Sequence, residues 1–134
     1  MGCLGVKKIW GENMTKEEYI GKYINLNSKL FSPDDLTDEN LKQHNKASRA
    51  IYKLCDELKE NIDLAEKVYS ELLENEDIDI QQGAATNCLE LNIHIKKSVK
   101  ILEHISKKGD GWFAAGAKRT LKIWRGEIGP YDPF

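Results

Sequence analysis

The sequence predicts an all-α chain of about six helices, arranged as a short α-solenoid of stacked helix pairs. Two observations carry this. Across 134 residues no segment alternates apolar and polar with period two over a convincing length, whereas apolar residues recur at threes and fours in one stretch after another. In addition, "CDELKENIDLAEKVYSEL" (55–72) is echoed 33 residues later by "CLELNIHIKKSVKILEHI" (88–105), aligning Cys55 with Cys88, Leu58 with Leu91, Ile62 with Ile95, Val68 with Ile101, Tyr69 with Leu102 and Leu72 with Ile105.

The first helix is signalled by "TKEE", where Thr15 can cap and Glu18 can return the bond as a capping box. Tyr19, Ile20, Tyr23, Ile24 and Leu30 follow, and the helix should end before Pro33. A second begins near Thr37 or Asp38. Its stripe is Leu41, His44, Ala47, Ser48, Ile51, Leu54, Cys55 and Leu58. After "KENID" a third starts, with Asp63 placed to cap it and Ala65, Val68, Tyr69 and Leu72 on its apolar side. "NEDID" turns the chain again, and Asp79 is the expected cap of a fourth helix carrying Ile80, Ala84, Ala85, Cys88 and Leu89. "NIHI" leads into a fifth, Ile95 to Lys107, which "KKGDG" stops with glycines. The sixth runs from Trp112 to Arg125, and "GPYDPF" cannot extend it.

Each copy of the echo spans the end of one helix, a short turn and the whole of the next, so the repeated unit is a helix pair. The register continues with a shift of 32, overlaying "GAATNCLEL" on "AGAKRTLKI": Ala85 on Ala117, Leu89 on Leu121, Leu91 on Ile123. Units of this length that cannot bury their apolar stripe alone must stack on their neighbours. The core expected from this alignment is Leu58, Val68, Leu72, Leu89, Leu91, Ile101, Leu102, Ile105 and Leu121. One domain is expected, with an N-terminal arm over 1–13, a helix pair over 14–60, repeats over 61–126 and a tail over 127–134.

Apolar residues make up 40% and charged residues 31% of the chain, a globular balance that excludes a disordered one. No apolar run approaches the ~20 residues of a membrane helix. The opening "MGCLGVKKIWGEN" has Gly2 and Cys3, but Val6 stands where a myristoylation signal wants Ser or Thr, and no apolar region precedes Cys3. The expectation is an arm that docks Ile9 and Trp10 on the domain. Cys3, Cys55 and Cys88 are odd in number and form no CxxC, which points to a reducing cytoplasm.

With "AATNCLELNIHIKKSVKILEHI…WFAAGAKRTLKIWRG" in view, the chain over about residues 50–126 resembles short HEAT or armadillo-like repeat proteins and is similar to a family of small bacterial proteins with that fold. Small alanines at helix contacts and leucines on one stripe carry the resemblance. It implies a fold and a binding role and supplies no catalytic residues. Small bacterial helical-repeat proteins include immunity proteins that neutralise a partner toxin, and by that analogy the expected partner is a toxin domain.

A search for enzymatic chemistry finds no nucleophile with its base, no metal-ligand spacing and no phosphate cradle. No catalytic residue, metal or cofactor is therefore expected. His44 falls on an apolar stripe, His94 in a turn and His104 among lysines, while Cys55 and Cys88 hold equivalent apolar repeat positions.

Charge is more informative. From Cys55 to Ile80 ten acidic residues face Lys59 and Lys67, a net of −8, whereas from Ile95 to Arg125 nine basic residues face Glu103 and Asp110, a net of +7. At about 100° per residue Asp63, Glu66, Ser70 and Glu74 share one stripe opposite Ala65, Val68 and Leu72. Lys96, Lys97, Lys100 and Lys107 fall opposite Ile95, Val99 and Leu102. One reading is that stacked helices complement each other's charge. A sharper one makes Asp63, Glu66, Glu74, Glu76, Asp77 and Asp79 a surface for a cationic protein such as a nuclease-type toxin, with the chain alone a monomer. The alternative is nucleic-acid binding through Lys96, Lys97, Lys100, Lys118, Arg119, Lys122 and Arg125.

Overall fold

The computed structural model describes residues 14–108 and 111–129; the expected arm over 1–13, Gly109 and Asp110 of the "KKGDG" stop, and residues 130–134 of the tail lie outside that range. The fold is all-α, and six α-helices account for the described residues: α1 Lys16–Asn27, α2 Asp38–Lys59, α3 Ile62–Leu72, α4 Ile78–Leu91, α5 Ile95–Lys108 and α6 Gly111–Trp124. A single 3-10 turn, Pro33–Asp35, links α1 to α2. No strand occurs among the described residues. The chain forms two compact units, the first ending at Val68 and the second starting at Tyr69.

In the first unit α1 packs on α2. Thr15 and Glu18 form the reciprocal capping box, with Glu18 N–H donating to Thr15 Oγ1 at 3.1 Å and Thr15 N–H donating to Glu18 Oε1 at 2.9 Å. Tyr19 and Tyr23, one turn apart, are the buried residues of α1, and the Tyr19 hydroxyl donates to Glu57 Oε1 of α2 at 3.1 Å. Thr37 caps α2 by accepting from Asn40 N–H. The buried stripe of α2 is Ala47, Leu54, Cys55 and Leu58; Leu41, expected on it, lies in the first turn and is 42% exposed. His44 is used structurally: its Nδ1 accepts the backbone N–H of Phe31 at 3.0 Å, which fastens the interhelical connection.

Two expected caps move. Asn61, not Asp63, caps α3, its Oδ1 accepting from Leu64 N–H, because the helix begins at Ile62 and Asp63 already lies inside the first turn. Asp77, not Asp79, caps α4: its Oδ1 accepts from the N–H of Asp79, which is itself helical. In each case the side chain two residues earlier reaches the free amides of the first turn.

In the second unit α5 packs on both α4 and α6, and α4 also touches α6. The turn between α4 and α5 is made by Asn92, the C-cap in the left-handed region with φ 58°, while Ile93 N–H returns to Cys88 O at 2.9 Å. After α6, Gly126 takes φ 78° and Glu127 N–H reaches Lys122 O at 2.9 Å, the same device with a glycine.

The echo is visible in the helices. α3 and α5 begin at aligned positions, Ile62 and Ile95, and Cys55 with Cys88, Tyr69 with Leu102, and Leu72 with Ile105 are buried in both copies. The shift of 32 holds as well: Ala85 and Ala117 are buried, as are Leu89 and Leu121. Of the expected core, Leu91 and Ile101 are only half-buried. Leu91 is the last residue of α4, and Ile101 flanks the buried face of α5, which is centred on Ser98, Leu102 and Ile105.

Candidate functional site

Within the first unit Asp63 and Glu66 are exposed on α3, on the side away from buried Ala65 and Val68. The acidic stripe expected on this helix does not continue to Glu74, because α3 ends at Leu72 and Glu74 stands in the turn that follows, its N–H donating to Glu71 O. In the second unit Glu74, Glu76 and Asp77 are exposed and Asp79 is half-buried, so the run 74–79 presents carboxylates from a turn and a helix start. Asp77 also caps α4, and Asn75 Oδ1 accepts the Asp77 N–H at 2.8 Å, which fixes this turn. The side chains of Glu76 and Asp63 make no hydrogen bond or ion pair among the described residues.

The basic residues of the nucleic-acid alternative are all on the second unit. Lys96, Lys97, Lys100, Lys118, Lys122 and Arg125 are exposed and Arg119 is half-buried. Two of them are tied to carboxylates: Lys97 pairs with Glu74, and Arg125 donates to Glu103 Oε2 at 2.8 Å, joining α6 to α5. Part of the charge opposition in the sequence is thus spent inside the unit as surface ion pairs, each worth under about 1 kcal/mol.

Trp112, 47% exposed, stacks on half-buried Phe113 with ring centroids 4.0 Å apart, and Trp124 is 40% exposed, so α6 presents aromatic surface at both ends. Between the C-terminal halves of α4 and α6, Thr86, Leu89 and Glu90 line an open, largely apolar groove of about 400 Å³ together with Thr120, Ile123 and Trp124. Sequence reading did not find this groove. Its signal was the shift of 32, which sets Thr86–Glu90 level with Lys118–Lys122, but an opening between two helices depends on how they pack, which periodicity does not encode.

Cys88 is buried in the second unit, and burial pushes its thiol up to about 12, with the neighbouring Ser98 hydroxyl acting weakly in the opposite direction. Ser98 is itself wholly buried, and its Oγ forms no well-aligned hydrogen bond. A thiol held neutral in this way packs as a small hydrophobe. Among the described residues no three His, Cys, Asp or Glu side chains are grouped so as to hold a metal ion, and no helix is long and apolar enough to cross a membrane.

Neither protein-family models, nor curated proteins, nor solved structures gave a match to this chain.

Proposed function

We propose that the chain is a non-enzymatic protein-binding module whose partner is a cationic protein, engaged through the acidic residues Asp63, Glu66, Glu74, Glu76, Asp77 and Asp79. What supports the reading is the exposure of five of these six carboxylates, with Asp63 and Glu76 unpaired among the described residues. Exposed like charges cost stability through mutual repulsion and become favourable when a partner of opposite sign approaches. Complementary fields then speed encounter and set orientation more than they raise affinity. By analogy with small bacterial helical-repeat proteins, the best-fitting role is that of a cytoplasmic immunity protein covering the phosphate-binding groove of a nuclease-type toxin. The nucleic-acid reading has less support, since Lys97 and Arg125 are engaged with Glu74 and Glu103.

Calorimetric titration of the full chain with the protein encoded beside it, and separately with mixed-sequence duplex DNA and RNA, tests the reading. Saturable binding of a basic protein and none of the nucleic acids is the expected result. Saturable, salt-sensitive binding of the duplexes would replace it with the nucleic-acid alternative.

A further inference from the structure

The groove between α4 and α6 combines features that neither charged surface has. Leu89 and Ile123 give it apolar lining, and three polar groups of its lining residues are uncommitted: the Glu90 carboxylate, the Thr120 hydroxyl and the Trp124 indole N–H make no hydrogen bond or ion pair among the described residues. Thr86 differs, since its hydroxyl already donates to Gln82 O at 2.9 Å. The groove also lies at the C-terminal ends of both helices, Leu91 and Trp124, where the backbone dipoles place partial negative charge. Around α6, Lys118, Lys122 and Arg125 point roughly half a turn away from the edge formed by Thr120, Ile123 and Trp124, and Arg125 is held by Glu103.

We infer that this groove seats one basic side chain, a lysine or arginine, of a protein partner. The aliphatic stem lies on Leu89 and Ile123, the cation meets the Glu90 carboxylate, and the Trp124 ring offers its face to the charge. A carboxylate without a partner beside two helix C-termini disfavours an anion there, and a neutral apolar group would leave Glu90 and Thr120 without bonds. The inference deepens the proposed function and rests on it for the identity of the partner as a cationic protein; the groove chemistry stands on its own residues.

The test uses the full chain and a single-residue probe, Nα-acetyl-arginine methylamide, with its citrulline counterpart as the uncharged isostere. Titration followed by the NMR resonances of the tryptophan indole N–H groups should give a saturable shift at Trp124 with the arginine probe and binding at least about three-fold weaker with citrulline. Glu90→Gln, an exposed change that leaves the fold intact, should weaken the arginine probe by about three-fold, and Trp124→Leu should weaken it similarly, followed by the backbone resonance of Leu89. Equal binding of the two probes, or no saturable shift at Trp124 or Leu89, overturns the groove assignment. The probe does not need the acidic run, so the two proposals fail separately. A cationic protein that binds a groove indifferent to arginine removes only this inference, and a groove that takes arginine in a chain that binds no basic protein removes only the proposed partner.

Discussion

The side-chain Nε2 of Gln82 donates to the backbone oxygen of Phe113 at 3.2 Å, joining the N-terminal half of α4 to the first turn of α6. Gly116 makes this approach possible: a Cβ there would stand 3.0 Å from the same Nε2.

The pair gives a coupled stability prediction. Gly116→Ala gains about 1 kcal/mol of helix propensity but forces the Gln82 amide aside, losing a hydrogen bond worth about 1 kcal/mol, so the single substitution should be near neutral. In a Gln82→Ala background nothing is displaced, and Gly116→Ala should stabilise by about 1 kcal/mol. Urea denaturation of the four proteins measures the coupling. A coupling near zero would mean that α4 and α6 do not meet at these residues.

Burial along α5 predicts unequal costs for similar truncations. Leu102 is fully buried, so Leu102→Ala should cost about 2–5 kcal/mol. Ile101→Ala, on the half-buried flank, should cost about half as much or less. Equal losses in chemical denaturation would place both residues in the core and contradict the observed face of the helix.

The Cys88 thiol carries a reactivity prediction with a definite sign. Its folded-state value, about 12, lies above the 9.0 of an exposed thiol, so below pH 9 both folded and unfolded chains keep the proton. As pH rises from there toward 12 the unfolded chain ionises first, and the stability that this group contributes is lost over that window. At pH 8 the native chain should therefore resist iodoacetamide at Cys88 and lose that resistance in denaturant, read by peptide mass mapping. Rapid labelling of native Cys88 would contradict its burial.

Asn61 and Asp77 act as helix caps, and Asn61→Ala or Asp77→Ala should each cost about 1 kcal/mol, measured by thermal denaturation. Asp63→Ala, exposed and inside its helix, should cost less, under about 0.5 kcal/mol. A larger loss for Asp63→Ala than for Asn61→Ala would restore the capping role first expected of Asp63.

Much of the fold was legible because it depends on local periodicity. The stripe from Ala47 to Leu58, the Thr15–Glu18 capping box and the aligned starts of α3 and α5 each follow from residue spacing alone. Cap identity was less legible, since Asn61, Asp63, Asp77 and Asp79 are all competent caps and the choice depends on where the first helical turn closes. Buried Ser98 and half-buried Ile101 show the same limit, because the centre of a helix's buried face is decided by its neighbours. The charged surfaces could be counted but not paired from sequence: the Glu74–Lys97 and Glu103–Arg125 contacts join residues 23 and 22 positions apart. The groove at Glu90 and Trp124 depends on how two helices pack, which residue spacing does not encode.

The central claim, that exposed carboxylates recruit a cationic protein, is tested most directly by association rates under charge reversal. Glu66, Glu74 and Glu76 are the positions to reverse together to lysine, because Asp77 caps α4 and its replacement would also destabilise the helix. Measured by surface plasmon resonance against the basic protein at low salt, this variant should associate about ten-fold more slowly or worse, with the difference shrinking as salt rises. A variant with Lys96, Lys100 and Lys122 reversed to glutamate should bind the same protein at close to the original rate. An unchanged association rate for the acidic-to-lysine variant at low salt would contradict the claim.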